Sequence, residues 1–365
     1  MATVNCRLLR LKLKIEKLKT NKILVTGNLG YIGTVLTDVL KDSFDVVGYD
    51  VGFFKDCNLV DASYPIKQIY KDIRDISNND LKEIDFVIHL AALSNDPLGE
   101  LNPRLTNEIN FLSTKKLAIL SKENGVKRFI YVSSQSMYGI SDTSIEVDEI
   151  NSEKKPVTEY AKTKWDAEIF LNTLNDENFT VVSFRPSTVF GVSPRLRSDI
   201  VFNNLVACAY TTNKIEIKSD GTPWRPVIHV RDVVSALIAG INAPKELVSG
   251  KSYNVGIKNG NYTIKDLADA VKKIMPKCEI IFTGEHLVDP RSYKVSFNRI
   301  LNELSAYYKP SWTLEKGGLE LINFFNKINF TEKDFRGTKT NRIANIKEKL
   351  SYQLDNNLRY IKNDN

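Results

Sequence analysis

Tyr160 and Lys164 lie four residues apart in a segment predicted to be helical, so both side chains fall on one face of the helix. A free tyrosine has a pKa of about 10 and is a poor base at neutral pH, but nearby positive charge favours the phenolate. Lowering that pKa by about three units takes roughly 4 kcal/mol, which two charges in a partly dry site can supply. Tyr160 is therefore a candidate base that takes a proton from a hydroxyl group while the attached carbon gives up hydride.

The Y-x-x-x-K spacing is a weak signal alone, because Tyr210 and Lys214 repeat it. Nothing upstream of this second copy supplies a serine-rich loop, so we interpret it as coincidence. The first copy follows a predicted strand that ends in S-S-Q-S at residues 133–136. Ser134 can share the hydrogen bond of the phenol and steady the charge that develops on the reacting oxygen. The candidate catalytic residues are Ser134, Tyr160 and Lys164.

A glycine-rich turn near the start of the chain is the second chemical feature. Ile23 to Val25 are an apolar run typical of a buried parallel strand, and Thr34 to Leu40 repeat apolar residues at helical spacing. A strand, a glycine turn and a helix N-terminus form an anion site, because backbone N–H groups point at a pyrophosphate that only residues without side chains let approach. The G-x-x-G-x-x-G turn therefore predicts a dinucleotide cradle. Its predicted contacts are Gly27, Asn28, Leu29, Gly30, Tyr31, Ile32 and Gly33.

Asp50 ends a second predicted strand, Asp45 to Tyr49, about 20 residues beyond the glycines. A carboxylate at this place accepts hydrogen bonds from both ribose hydroxyls and repels a 2′-phosphate. The position therefore favours NAD over NADP. The alternative is a tight strand-to-helix turn that holds nothing. The strand before the turn, the helix after it and the acid in place favour the dinucleotide.

Predicted strands and helices go on alternating, with strands at 68–72, 85–90 and 129–132 and a helix at 107–124. This alternation predicts an α/β fold with a doubly wound parallel sheet whose ligands bind beyond the carboxyl ends of the strands. The strand-end residues predicted to contact the cofactor are Asp72, Ile73, Leu90, Ala91 and Ala92. His89 has no second His or Cys beside it, so we interpret it as a packing residue and predict no metal site.

The positive charge is concentrated at one end of the chain. The 365 residues carry a formal net charge of +7, and residues 1–22 hold seven basic residues against one acid. A nucleic-acid-binding domain would carry its basic stripe on the fold itself, so we predict no nucleic-acid partner. The amphipathic segment Cys6 to Lys19 is too short and too charged to span a bilayer. We interpret it as a loose extension, with a membrane-surface or targeting role as the alternative.

The four cysteines, Cys6, Cys57, Cys208 and Cys278, are scattered along the chain without a C-x-x-C pair. This usage favours a reducing compartment. No other apolar stretch reaches membrane-spanning length, so no transmembrane segment is predicted. We therefore expect a soluble, cytoplasmic protein.

Four motifs occur together: T-G-x-x-G-x-x-G at 26–33, H-L-A-A at 89–92, S-S-x-S-x-Y-G at 133–139 and Y-x-x-x-K at 160–164. Together they resemble the extended short-chain dehydrogenase/reductase superfamily, specifically its NAD-dependent nucleotide-sugar epimerases and dehydratases, of the UDP-glucose 4-epimerase type. The resemblance continues through F-R-P-S-T-V-F-G and G-T-P-W-R-P-V-I-H-V-R-D and covers roughly residues 22–310. It implies NAD as cofactor, a nucleotide-sugar substrate and a homodimer built on helices 107–124 and 160–174.

The resemblance also implies site residues beyond those motifs. Arg225 and Arg291 would pair with the nucleotide diphosphate; the alternative is that both are solvated or paired with surface acids. Asn203 is similar to an amide that often contacts the same group. The other implied cofactor contacts are Asn110 and Pro186, with Tyr160 and Lys164, and the other implied substrate contacts are Ser94, Ser134, Gln135 and Ser136.

Gln135 and Ser136 bear on the reaction. Relatives that dehydrate carry Asp and Glu at these positions, where the acids protonate the leaving hydroxyl and remove the C5 proton. Neither carboxylate is present, and a neutral serine is no base without help. We therefore expect oxidation at C4 of a nucleotide-linked sugar by a 4-epimerase or a 4-dehydrogenase. The alternatives are a dehydratase or reductase of the same family and, from another class, a non-catalytic NAD-binding sensor or interaction protein.

The expected architecture is a Rossmann doubly wound parallel sheet with a smaller, interleaved α/β substrate lobe. We expect an N-terminal extension at 1–21, the NAD-binding domain at 22–190 plus about 226–256, the lobe at about 191–225 plus 257–330, and a tail at 331–365. Predicted elements of the C-terminal part are strands 247–256 and 279–282 and helices 263–274 and 313–328. The tail is charged and only partly ordered by its pattern.

Overall fold

The computed structural model describes residues 21–61, 65–284 and 292–361. The predicted N-terminal extension, except Asn21, therefore lies outside the described residues, and so does Arg291. Within the described ranges, no helix combines the length and the apolar character needed to cross a bilayer.

A parallel sheet of seven strands forms the centre of the molecule, in the order β11-β7-β5-β4-β1-β2-β3. All neighbouring strands in it are parallel. β1 pairs with β2 on one side and with β4 on the other, so the order in which strands are added to the sheet reverses at β1. Such a switch point opens a crevice at the carboxyl ends of the strands. The predicted doubly wound fold is confirmed. The strands are β1 (Lys22–Thr26), β2 (Asp45–Asp50), β3 (Lys67–Tyr70), β4 (Phe86–His89), β5 (Arg128–Val132), β6 (Glu146–Val147), β7 (Thr180–Pro186), β8 (Thr188–Phe190), β9 (Lys214–Ile217), β10 (Trp224–His229), β11 (Lys251–Val255), β12 (Asn261–Thr263), β13 (Glu279–Phe282) and β14 (Lys294–Val295).

Helices cover both faces of this sheet, because its central strands are apolar on both sides. Side chains of α1 and α7 pack on one face and those of α4 and α5 on the other. Ile23, Leu24 and Val25 of β1 are accordingly fully buried. The helices are α1 (Tyr31–Leu40), α2 (Asp96–Gly99), α3 (Pro103–Thr106), α4 (Ser113–Glu123), α5 (Glu159–Leu174), α6 (Val201–Thr212), α7 (Val230–Asn242), α8 (Lys245–Val248), α9 (Ile264–Ile274), α10 (Asn298–Glu303), α11 (Leu314–Lys327), α12 (Glu332–Arg336) and α13 (Arg342–Lys349).

Smaller sheets lie beside the carboxyl ends of the central strands. One has the order β12-β10-β8, and the pairs β13-β9 and β14-β6 form two more. Helices α6, α9 and α11 contribute Phe202, Leu267 and Phe325 to a separate buried cluster. These residues form a buried core distinct from the two cores that flank the central sheet.

Three predicted elements differ from the structure. The predicted helix 107–124 consists of a π-helical turn at Asn107–Leu112 followed by α4, and α3 directly precedes it. The predicted strand 247–256 begins only at Lys251, because Lys245–Val248 form a short helix after Pro244. Short apolar runs do not distinguish strand from helix by their pattern. The tail is more ordered than its pattern indicates, since it contains α12 and α13 and buries Ile346 in the core beside α4 and α5.

His89 is a packing residue, as predicted. Its ring nitrogens make hydrogen bonds with the hydroxyls of Thr26, at 2.6 Å, and Thr114, at 2.7 Å. Burial lowers the pKa of His89 to about 3, so the ring is neutral at physiological pH. A neutral imidazole between two hydroxyls anchors β4 to its neighbours just below the crevice.

Candidate active site

A cavity of about 500 Å³ lies at the carboxyl ends of the parallel strands. The glycine turn after β1 forms part of its wall, and Gly27 has a φ of +72°, in the left-handed region that favours glycine. A Cβ on Gly27 would lie 2.7 Å from the backbone nitrogen of Ala91, and one on Gly33 would lie 2.2 Å from the carbonyl oxygen of Gly27. The three glycines thus keep the turn close to both β4 and the first turn of α1.

Asp50 lines the same cavity from the end of β2. Its carboxylate accepts hydrogen bonds from the backbone N–H of Leu29, at 3.2 Å, and of Gly52, at 2.7 Å. Burial raises the pKa of Asp50, while those two N–H groups and the charge of Arg195 act in the opposite direction. A helix N-terminus lined with glycine and a fixed carboxylate beyond it are the groups that bind a pyrophosphate and a ribose. The residues present therefore fit a dinucleotide.

Tyr160 and Lys164 enter the cavity from the first turns of α5. Thr158 caps this helix by accepting a hydrogen bond from Ala161 N, at 3.2 Å, and its own hydroxyl donates to Asp96, at 2.6 Å. Lys164 Nζ donates to the carbonyl oxygen of Val132, at 2.8 Å. The helix cap and this bond to the end of β5 fix the two side chains beside the serine turn.

The protonation states of this pair are set mainly by burial. Burial raises the pKa of Tyr160 to about 12, although the hydroxyl of Ser134 and the charge of Arg197 lower it. Burial also lowers the pKa of Lys164 to about 7. Without a ligand, the phenol is therefore protonated at neutral pH, and the lysine alone does not make it a base.

The serine turn between β5 and α5 is a short 3-10 helix, Gln135–Tyr138, capped by Ser134. Ser134 Oγ accepts a hydrogen bond from Ser136 N at 3.1 Å and lies 2.8 Å from Ser136 Oγ. The side-chain amide of Gln135 donates to the carbonyl oxygen of Arg185, at 2.9 Å. Its Oε1 is buried at the cavity wall and has no hydrogen-bond partner among the described residues. An acceptor of this kind is available to a ligand hydroxyl.

Most residues predicted from the sequence line the cavity. The cavity wall includes Gly27, Gly30, Tyr31, Ile32, Gly33, Asp50, Asp72, Ile73, Leu90, Ala91, Ala92, Ser94, Ser134, Gln135, Ser136, Tyr160, Lys164, Pro186 and Arg225. Arg225 Nη1 also donates to the carbonyl oxygen of Trp224, at 2.8 Å.

Four predicted contact residues lie behind the wall instead. Leu29 donates its backbone N–H to Asp50 and accepts from Arg195 at its carbonyl oxygen, and Asn28 Nδ2 donates to Gln68, at 2.7 Å. Asn110 Oδ1 accepts from Leu93 N, at 2.8 Å, and Asn203 Oδ1 accepts from Gly191 N, at 2.9 Å. The side chains of Asn28, Asn110 and Asn203 are buried and hold neighbouring segments in place. Buried amides first satisfy the backbone around them, as these do, and their direct contact with a ligand stays a prediction.

Arg197, which the sequence did not predict as a site residue, lines the cavity from the segment between β8 and α6. Its guanidinium forms an ion pair with Asp199, with Nε 2.8 Å from Oδ1, and reaches Ser94 Oγ at 3.3 Å. Arg197 is 7% exposed, so its charge acts in a dry surrounding. The only sequence signal was an arginine and an acid two residues apart in a stretch without periodicity.

The parallel sheet, the glycine turn and the paired tyrosine and lysine define an NAD-binding α/β enzyme. The chain belongs to the NAD dependent epimerase/dehydratase family, whose model matches residues 23–256. The cofactor is accordingly NAD.

Curated relatives include the dTDP-D-glucose 4,6-dehydratase of Mus musculus, which is 29% identical over 325 residues, covering 84% of this chain and 89% of the relative. A putative UDP-glucose 4-epimerase of Methanocaldococcus jannaschii is 26% identical and covers 85% of this chain and its own full length (100%). Among solved structures, MoeE5 in complex with UDP-glucuronic acid and NAD is 25% identical, with a TM-score of 0.71, and the match covers 84% of this chain and 99% of MoeE5.

Proposed function

We propose that this enzyme oxidises C4 of a nucleotide-linked sugar with NAD and acts as a nucleotide-sugar 4-epimerase or 4-dehydrogenase. The observation that carries the proposal is the arrangement of Ser134, Tyr160 and Lys164 on the wall of a cavity that also contains the glycine turn. The names of the relatives, a putative UDP-glucose 4-epimerase and a protein solved with UDP-glucuronic acid and NAD, support a nucleotide sugar as substrate.

Each polar group of the site has a step in this reaction. Tyr160 takes the proton of the C4 hydroxyl, and the hydroxyl of Ser134 donates to the same oxygen as charge develops on it. The glycine turn and Asp50 would hold NAD, which would supply the hydride acceptor and a positively charged ring beside the phenol. Lys164, bonded to the carbonyl oxygen of Val132, would add a second positive charge when it is protonated. The chain thus provides a proton acceptor that works only in the loaded site.

Binding of the nucleotide end is assigned to the smaller lobe, which we propose consists of about 191–225 and 257–330, with about 226–256 belonging to the NAD-binding domain. Arg225 lies at the cavity near the start of strand β10. Its guanidinium would pair with the diphosphate, a contact that suits its forked geometry. Ser94, Ser136 and the unpaired acceptor of Gln135 are placed to contact the sugar hydroxyls.

A second candidate reaction is dehydration, which the named 4,6-dehydratase relative favours. Gln135 and Ser136 argue against it, because neither side chain can protonate a leaving hydroxyl or remove the C5 proton as a carboxylate does.

Incubation with a panel of UDP-, GDP- and dTDP-hexoses distinguishes the two reactions, with mass spectrometry to detect loss of water or hydrogen and proton NMR to detect inversion at C4. We expect a 4-epimer of unchanged mass or a 4-ketone that has lost two hydrogens. The Gln135→Asp/Ser136→Glu variant is the matched comparison, since it introduces both acids without changing the residues predicted to contact NAD. A 4-keto-6-deoxy product of the unaltered enzyme, one water lighter than the substrate, would contradict the proposed reaction.

The proposal also includes a cytoplasmic homodimer that joins α4 and α5 of one subunit to those of the other. Ile119 on α4, Ile169 on α5 and Leu112 at the end of the π-helical turn before α4 support this interface, because they are 39%, 48% and 47% exposed. The free thiols of Cys57, Cys208 and Cys278 are consistent with a reducing compartment. Sedimentation of the purified protein at micromolar concentration should give a dimer, and a monomer would overturn this part of the proposal.

A further inference from the structure

Residues 340–361, which we name the C-terminal strap, lie at the end of the cavity that contains Asp50 and Asp72. Arg342 of the strap lines the cavity itself, together with Phe53 and Phe54 of the loop that follows β2. The strap is outside residues 23–256, which the family model matches.

The strap is bonded to the loop that immediately follows Asp50. Lys349 Nζ donates a hydrogen bond to the carbonyl oxygen of Phe53, and the hydroxyl of Tyr360 donates to the carbonyl oxygen of Gly52, at 2.9 Å. The guanidinium of Arg342 lies over the ring of Phe54, 4.7 Å from its centroid. Every residue from Gly52 to Phe54 is therefore in contact with the strap.

A second set of contacts holds the turn after β3. Arg359 Nη1 lies 3.3 Å from a carboxylate oxygen of Asp72, and Arg359 Nη2 donates to Asp75, at 3.1 Å. Arg74 in turn donates to the carbonyl oxygen of Asn357, at 2.9 Å. The strap thus joins the two loops that form one end of the cavity.

These contacts belong to the folded core. Ile346, Leu354 and Leu358 of the strap are at most 2% exposed, and the cationic side chains of Arg342 and Lys349 are 2% and 3% exposed. Burial of a cation is costly unless hydrogen bonds compensate for it, and both cations have such bonds to backbone carbonyls. A loosely attached tail would leave them in water.

We propose that the C-terminal strap is part of the dinucleotide site and that it determines how tightly NAD is held. Asp50 and Asp72 are placed for the adenosine half of the cofactor. Asp50 ends β2 directly before one loop that the strap contacts, and Asp72 lies in the other. A loop held in its binding conformation before the ligand arrives loses less entropy on binding. Arg342 also brings positive charge to a cavity that receives an anionic pyrophosphate.

The test is NAD binding to the full-length Lys349→Met/Tyr360→Phe variant, measured by calorimetry. A second measurement is the rate at which NADH leaves NADH-loaded protein after mixing with excess NAD. We expect the dissociation constant to rise at least about tenfold and NADH to leave faster, since two hydrogen bonds to the loop are lost. The matched control is Lys347→Met/Tyr352→Phe, which changes the same residue types at exposed strap positions and should bind NAD as the unaltered protein does.

Melting of the cofactor-free proteins separates this role from a merely structural one. A lower melting temperature with unchanged NAD affinity would overturn the proposal, and so would equal affinities of the double variant and its control. Tyr360→Phe alone removes one hydroxyl near the end of the described chain and keeps the ring. We therefore expect this single variant to fold even if the double variant does not. It should weaken NAD binding in the same direction by a smaller factor. The outcome does not depend on which sugar the enzyme uses.

Discussion

Replacing Tyr160 by phenylalanine should lower kcat by about 10³-fold, within the range that a positioned acid or base contributes. The variant loses the oxygen that accepts the C4 proton but keeps the ring that packs at the start of α5. Affinity for NAD and for the nucleotide sugar should therefore stay within about twofold. Steady-state kinetics with the substrate identified by product analysis, together with calorimetry for NAD, measure both quantities.

Tyr210→Phe is the matched control, because Tyr210 and Lys214 repeat the Y-x-x-x-K spacing outside the cavity. The hydroxyl of Tyr210 donates only to Asn326 Oδ1, at 2.8 Å. This control should turn over at the unaltered rate. If Tyr160→Phe retained normal turnover, the phenol would not be the proton acceptor, and the mechanism would have to be abandoned.

Lys164→Met should lower kcat by about 10²-fold and yet make the cofactor-free protein more stable at neutral and acidic pH. The pKa of Lys164 is about 7 in the folded protein and about 10.5 when unfolded. Below pH 7 both states are protonated, so folding there carries the full cost of a buried cation, on the order of 5 kcal/mol. Between pH 7 and 10.5 the unfolded chain binds more protons than the folded one, so stability rises with pH.

The stability gained by Lys164→Met should thus be largest below pH 7 and shrink as the pH approaches 10.5. At every pH the gain is reduced by the loss of the hydrogen bond to Val132. Chemical unfolding of the cofactor-free variant at several pH values measures this difference. Lys162→Met, at an exposed position of the same helix, should show neither effect. A gain in stability independent of pH would contradict the assignment of the cost to the buried charge.

The sheet and the glycine turn were predictable because their signals are local. The apolar run of β1, the glycine spacing and the acid at Asp50 each follow from a few consecutive residues, and the structure brings them to one cavity. The pairing of Tyr160 with Lys164 was predictable for the same reason, since helical spacing alone fixes the shared face.

Side-chain direction was less predictable, because it depends on what packs behind each element. Asn110 and Asn203 have residue types that suit a ligand contact, but their amides are occupied by the backbone of Leu93 and Gly191. Arginine is a residue type usually found at the surface. Arg197, in the segment between β8 and α6, is instead buried at the cavity beside Asp199. The order of the C-terminal strap could not be predicted, because its few apolar residues repeat at no single period. They are buried only by contact with distant parts of the folded chain.

The central claim is that Tyr160 becomes a base when NAD occupies the cavity. It is tested most directly by NMR titration of protein labelled with carbon-13 at the tyrosine Cζ, whose signal reports phenol ionisation, with Tyr160→Phe used to assign the resonance. We predict a Tyr160 pKa of about 12 without cofactor and one lower by several units with NAD bound. A Tyr160 pKa that is the same in both states would contradict it.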